Sequence, residues 1–206
     1  MFTTSRLVAI ALCAALNFSI GNIVYLVKLP VYLDSVGTIL CALLLFPDLV
    51  AAIVCPFVAG LIGVILTGLV LNPFLPWFTL TVLAIALVSA LLTARANGTF
   101  RARPLPTGAF VAKVVTFGIV TGIVSAVTAA PVVAYLFGGV TGSGSALVVA
   151  YFVKSGNLLW DATLRSGLII EPLDKTLQVL LAALLYHATP QEFITMLRPS
   201  VQPSAT

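Results

Sequence analysis

Residues 49–71 read LVAAIVCPFVAGLIGVILTGLVL. The stretch holds no charged residue. It is long enough to cross a hydrocarbon core about 30 Å thick, which takes a helix of roughly 20 apolar residues. It therefore reads as one complete membrane span. Pro47-Asp48 marks a tight turn before it, and the paired prolines of Asn72-Pro73-Phe74-Leu75-Pro76 mark a second turn after it.

Outward from this span, similar apolar runs recur along the chain. The expected spans are 7–27, 34–46, 49–71, 77–94, 108–130 and 168–187. The second is the weakest, because Thr38–Phe46 is too short to cross alone unless residues 31–37 also enter the membrane. A further helix is expected at 145–165, lying outside or dipping part-way in. The expectation is an all-α membrane protein with six spans, in which residues 1–206 form a single integral membrane domain.

Composition agrees. Hydrophobic residues make up 61% of the 206 residues and charged residues 8%, against roughly 45–50% and about 25% in soluble domains. The mean hydropathy is +1.19. A cytosolic enzyme and a disordered chain are both excluded. The net charge of +4 comes from few, dispersed basic residues, which fits loops beside an anionic leaflet and not nucleic-acid binding. Arg95, Arg101 and Arg103 crowd the loop Arg95–Pro106, so the positive-inside bias places that loop and both termini in the cytoplasm. Cys13, Cys41 and Cys55 lie in apolar runs and read as packed small hydrophobes. No cleavable signal peptide is expected.

Several devices are missing. No Gly-x-x-x-x-Gly-Lys-[Ser/Thr] is present, so ATP is not bound that way. His187 stands far from other candidate ligands or nucleophiles, which argues against a metal site, a protease or a lipid hydrolase. No enzyme activity and no cofactor are expected.

Polar residues in so apolar a chain are informative. They gather at the ends of spans expected to lie outside: Asn22 and Tyr25, then Tyr32, Asp34 and Ser35, then Lys154, Asn157, Trp160, Asp161 and Arg165, then Glu171, Asp174, Lys175 and Gln178. Lys154, Asn157, Asp161 and Arg165 would form one stripe if 145–165 were helical, with Trp160 beside it. That segment is either a solvated face with surface ion pairs or a lid over a small solute. Asp161–Arg165 and Glu171–Lys175 are spaced as i, i+4 pairs. Lys113 is near enough to a span end to snorkel. Gly118, Gly122, Ala126 and Ala130 form a ridge expected to pack another helix. Ala11 and Ala15 offer a shorter one in the first span.

Ala11-x-x-x-Ala15, Leu16-Asn17, the link Lys28-Leu-Pro-Val-Tyr-Leu-Asp34-Ser35-Val-Gly37-Thr38, Pro47 and the Glu171-Pro-Leu-Asp174-Lys175-Thr176 stretch together resemble the substrate-binding S component of energy-coupling factor (ECF) transporters. The resemblance implies high-affinity capture of a vitamin-like micronutrient from outside. The implied partners are a transmembrane coupling protein and two ATPase subunits, in a bacterial or archaeal cytoplasmic membrane. By the same resemblance Ala11 and Ala15 contact the coupling protein. The substrate-binding candidates are Asn22, Tyr25, Asp34, Asn157, Trp160 and Asp161. Asp34, Asp161, Tyr25 and Trp160 would suit a neutral or cationic heteroaromatic; Lys28, Lys154 and Arg165 could instead meet a carboxylate or phosphate. A non-transporting scaffold or sensor-associated subunit and a self-sufficient secondary carrier are the rival readings.

Overall fold

The computed structural model describes residues 2–96, 98–101 and 107–198, so half of the arginine-rich loop, Arg103 included, lies outside the described residues. The described residues are helical, without strands. α1 spans Thr4–Val27, α2 Val36–Leu45, α3 Leu49–Val70 and α4 Thr79–Arg95, the last preceded by a 3-10 turn, Leu75–Phe78. α5 spans Thr107–Pro131 and runs into a π-helical turn, Val132–Leu136. α6 (Ala146–Lys154), α7 (Leu159–Ala188) and α8 (Gln191–Leu197) complete the chain.

Four helices are long and apolar enough to cross a membrane: α1, α3, α4 with its leading turn, and α5 with its trailing one. The chain is on this ground a membrane protein. α2 is different. Its 10 residues cover about 15 Å at 1.5 Å per residue, half of a hydrocarbon core. Every one of its side chains is nevertheless buried, because α2 sits inside the bundle with residues 28–35 leading down to it as an irregular strap.

α5 and α7 pack most intimately. A Cβ on Gly118 would collide with the backbone of Thr176, and one on Gly122 with the backbone of Pro172. The small-residue ridge thus serves close helix packing within the bundle.

One expected helix is corrected. Residues 145–165 are not a single helix: α6 stops at Lys154 and the chain turns before α7 begins at Leu159. The stop is a Schellman cap. Gly156 has φ +89°, Gly156 N–H donates to Val153 O at 3.0 Å, and Asn157 N–H donates to Phe152 O at 3.1 Å. Glycine takes this left-handed conformation without a Cβ penalty. Residues 159–165 instead extend the last helix, so the 168–187 run is part of a 30-residue helix.

At one end of the bundle the chain termini converge. Arg6 ion-pairs with Asp48 at 2.8 Å and donates from Nε to Leu197 O at 3.2 Å. Arg198 donates to the carbonyls of Leu44 and Leu43, which end α2, and to the Tyr186 hydroxyl. Lys113 Nζ donates to Ala96 O and to Thr99 Oγ1, capping the end of α4. The interior here is apolar and dense, with Cys13, Cys41 and Cys55 all free and buried. Phe100 packs edge-on against both Phe110 and Phe117. We call this the terminal end and the opposite one the strap end.

Candidate functional site

The strap poses a physical problem. Irregular backbone buried inside a helical bundle survives only where protein groups satisfy its N–H and C=O groups. Here side chains from the flanking helices supply the acceptors. Asp174 Oδ1 accepts from the N–H groups of Tyr32 and Leu33, each at 2.9 Å. Gln178 Oε1 accepts from Ser35 N–H at 3.0 Å. Asn17 Oδ1 accepts from Gly37 N–H at 2.7 Å and Thr38 N–H at 3.3 Å, while its Nδ2 donates to Thr38 Oγ1 at 2.9 Å. The polar residues of α7 and α1 are therefore brackets for a segment that would otherwise not fold inside the bundle.

Above the brackets lies a cavity of about 120 Å³, walled by α1, the strap, α3, α4, α5 and α7. That volume holds several waters or a small organic molecule. The loop between the π-helical turn and α6 closes over it: Tyr25 Oη donates to Thr141 O at 3.3 Å, Lys28 Nζ to Gly142 O at 2.6 Å, and Tyr32 Oη to Ser145 Oγ at 2.8 Å.

The charge sits on one wall. Lys175, 2% exposed, lies 2.6 Å from Asp174, 3.2 Å from Glu171 and 3.7 Å from Asp34. Asp174 is fully buried and committed, its Oδ2 also accepting from Gln178 Nε2 at 2.7 Å. Asp34, Glu171 and Lys175 line the cavity. The Glu171–Lys175 pair expected from its spacing does form, but it is buried. Ordinary surface pairs contribute little; a cluster in which Glu171, Asp174 and Lys175 are buried and only Asp34 is partly exposed is a costly arrangement that depends on its hydrogen bonds.

Of the six substrate-binding candidates, Tyr25 and Asp34 line the cavity. Asn22 lies behind the wall, donating to Phe18 O at 2.5 Å and to Thr67 Oγ1 at 3.2 Å, and Thr67 is a lining residue. Asn157, Trp160 and Asp161 do not line it. Asn157 closes the end of α6 through Nδ2 to Phe152 O at 2.9 Å. Trp160 stacks on Tyr135, with ring centroids 6.1 Å apart. Asp161 opens α7, and no ion pair joins it to Arg165 among the described residues. The turn at Gly156 removes these residues from any common stripe with Lys154. Ala11 and Ala15 are exposed on α1, turned away from the packed interior.

Asn17, Tyr32, Glu171, Asp174, Lys175 and Gln178 were absent from the sequence-based candidates. The signal for the α7 group was present: residues 171, 174, 175 and 178 fall on one helical face. A polar stripe inside an otherwise apolar span must face the interior.

Among the described residues no cluster of His, Cys, Asp and Glu has metal-binding geometry. No family model, no curated protein and no solved structure matches the chain.

Proposed function

We propose that this chain is the membrane-embedded solute-capture subunit of an ATP-driven importer, of the kind that the ECF S-component resemblance implies. The observation that carries the reading is the cavity at the strap end, polar on one wall and covered by a loop, in a bundle whose terminal end is packed with apolar side chains. Such an enclosed space with a few convergent polar groups is the usual form of a small-molecule site.

In this reading α7 crosses the membrane, its charged face turned inward, and the strap with α2 makes the sixth crossing. Arg6, Arg95 and Arg198 stand on the cytoplasmic side, in keeping with the positive-inside bias. The cavity then opens outward, in a bacterial or archaeal cytoplasmic membrane, to a vitamin-like solute. The exposed, small side chains of Ala11 and Ala15 suit close approach by a helix of a coupling protein, which would bring two ATPase subunits.

The test is purification of the tagged chain from its native membrane. A second membrane protein and an ATPase pair should accompany it. Ala15→Trp should abolish that association and uptake while leaving ligand binding unchanged. Loss of binding in Ala15→Trp, or purification without any ATPase, overturns the importer reading.

A self-sufficient carrier is the second reading, favoured by the ionisable groups buried midway along α7. Solute accumulation by the chain alone in proteoliposomes would select it.

A further inference from the structure

We propose that the cavity is selective for a small organic cation, whose charged N–H group is held between Glu171 and Asp34. This deepens the capture reading and rests on it.

The charge count comes first. Three carboxylates, Asp34, Glu171 and Asp174, surround a single ammonium, Lys175. The cluster lacks compensating positive charge within the wall. Lys175 donates to Asp174 and stands 3.2 Å from Glu171 and 3.7 Å from Asp34, so its single positive charge is already outnumbered by the carboxylates around it. Lys28, at the same end, is engaged with Gly142 O and lies 4.7 Å over the Tyr25 ring. An anion entering the cavity would meet net negative charge in a region of low dielectric, which is strongly unfavourable.

The second observation concerns unpartnered atoms. Glu171 is 6% exposed, and its Oε2, although 3.2 Å from Lys175 Nζ, makes no well-aligned hydrogen bond. Thr81, on the α4 wall, is also 6% exposed, and its Oγ1 has no partner. Both residues line the cavity. Buried polar atoms normally find partners, and a site built to bind leaves some waiting for the ligand. Asp34 differs: its side chain is 55% exposed, and its Oδ1 accepts from Ser35 Oγ at 3.1 Å and lies 3.7 Å from Lys175 Nζ. It can turn a second oxygen toward a ligand that Glu171 already holds. Tyr25, Tyr32 and Phe78 supply aromatic surface along the lining, and ring faces attract cations. Donors for Glu171 and Asp34, an apolar body for the rings and an acceptor or hydroxyl partner for Thr81 define the ligand class: a protonated amine, amidine or amino-heteroaromatic ring.

The experiment uses three isosteres of different charge: benzamidine, benzamide and benzoate. Each is titrated against the full-length chain in detergent, with thermal melting as the readout, and sodium chloride at matched ionic strength serves as the control. Benzamidine should raise the melting temperature and bind at least about tenfold more tightly than benzamide, the usual yield of a charge-assisted hydrogen bond. Benzoate and sodium chloride should not stabilise. Glu171→Gln should cut the preference for benzamidine over benzamide by about tenfold, and Asp34→Asn by less, since it is half exposed. Asp34→Asn keeps the test alive should Glu171→Gln fail to fold. Preference for benzoate, equal stabilisation by sodium chloride, or an unchanged preference in Asp34→Asn overturns the cation inference and leaves solute capture standing. A chain that responds to none of the probes overturns both.

Discussion

The two ends of this bundle share the same helices and differ in what fills the space between them. At the terminal end, small and branched side chains close the interior: Ala9, Cys13, Cys41, Leu43, Ala52 and Cys55 are each essentially inaccessible. At the strap end, the same α1, α3 and α7 wall a cavity, and backbone N–H groups of the strap donate to Asn17, Asp174 and Gln178. Apolar burial is non-directional. A bracketed strap adds direction, because each of its buried N–H groups requires its own acceptor. The polar end therefore trades cohesion for a defined, ligand-sized space.

The sharpest way to break this contrast is Asp174→Ala. It strips acceptors from Tyr32 and Leu33, a partner from Gln178 and the closest counter-charge from Lys175. Each buried donor left without its acceptor costs about 1–3 kcal/mol, so the melting temperature should fall steeply or the protein should fail to fold. A variant as stable as the unaltered chain would mean that the strap is held by something else.

Added volume should act in opposite ways at the two ends. Ala52→Leu overfills the terminal end, and a loss of about 1–3 kcal/mol is expected, read as a lower denaturation midpoint with ligand binding intact. Val64→Trp adds volume where space exists; stability should be nearly kept while ligand binding is lost.

Trp160→Ala should do little. Trp160 and its stacking partner Tyr135 are 38% and 77% exposed, so the expected change in stability and in ligand binding is within about 0.5 kcal/mol. A large loss of binding would return the site to the start of α7.

A further small effect belongs to Asp48, in the turn between α2 and α3. The Ala51 N–H, and after it Arg6, hold its carboxyl below the usual carboxylate range. A depressed folded-state pKa gives stability that is present above the ordinary value of about 3.9 and lost as pH falls through the lowered value. With its side chain 41% exposed, the contribution should be no more than about 1 kcal/mol. Asp48→Asn should flatten that part of the acid-stability profile, as followed by melting between neutral pH and pH ~3.

The same contrast explains what the sequence made legible. Uncharged runs such as 49–71 announce a span by length alone, and the ridge of Gly118 and Gly122 announces close packing. Residues 31–37 were read as entering the membrane only conditionally, since nothing local says that Asn17 and Asp174 will satisfy their backbone. Trp160 and Asp161 were misplaced for a local reason: periodicity was carried through Ser155-Gly156-Asn157, where glycine ends the helix. The α7 group was visible as polar residues, but whether Glu171 and Lys175 face solvent or interior depends on α5 packing against their helix. That is a long-range contact, and spacing within α7 cannot report it.

Capture at the strap end is tested most directly by native mass spectrometry of the detergent-purified chain beside Val64→Trp, with folding of both checked by thermal melting. The expected spectrum shows a bound small molecule on the unaltered chain and none on Val64→Trp. An unaltered chain that carries nothing, or an adduct that persists in Val64→Trp, contradicts a solute site in this cavity.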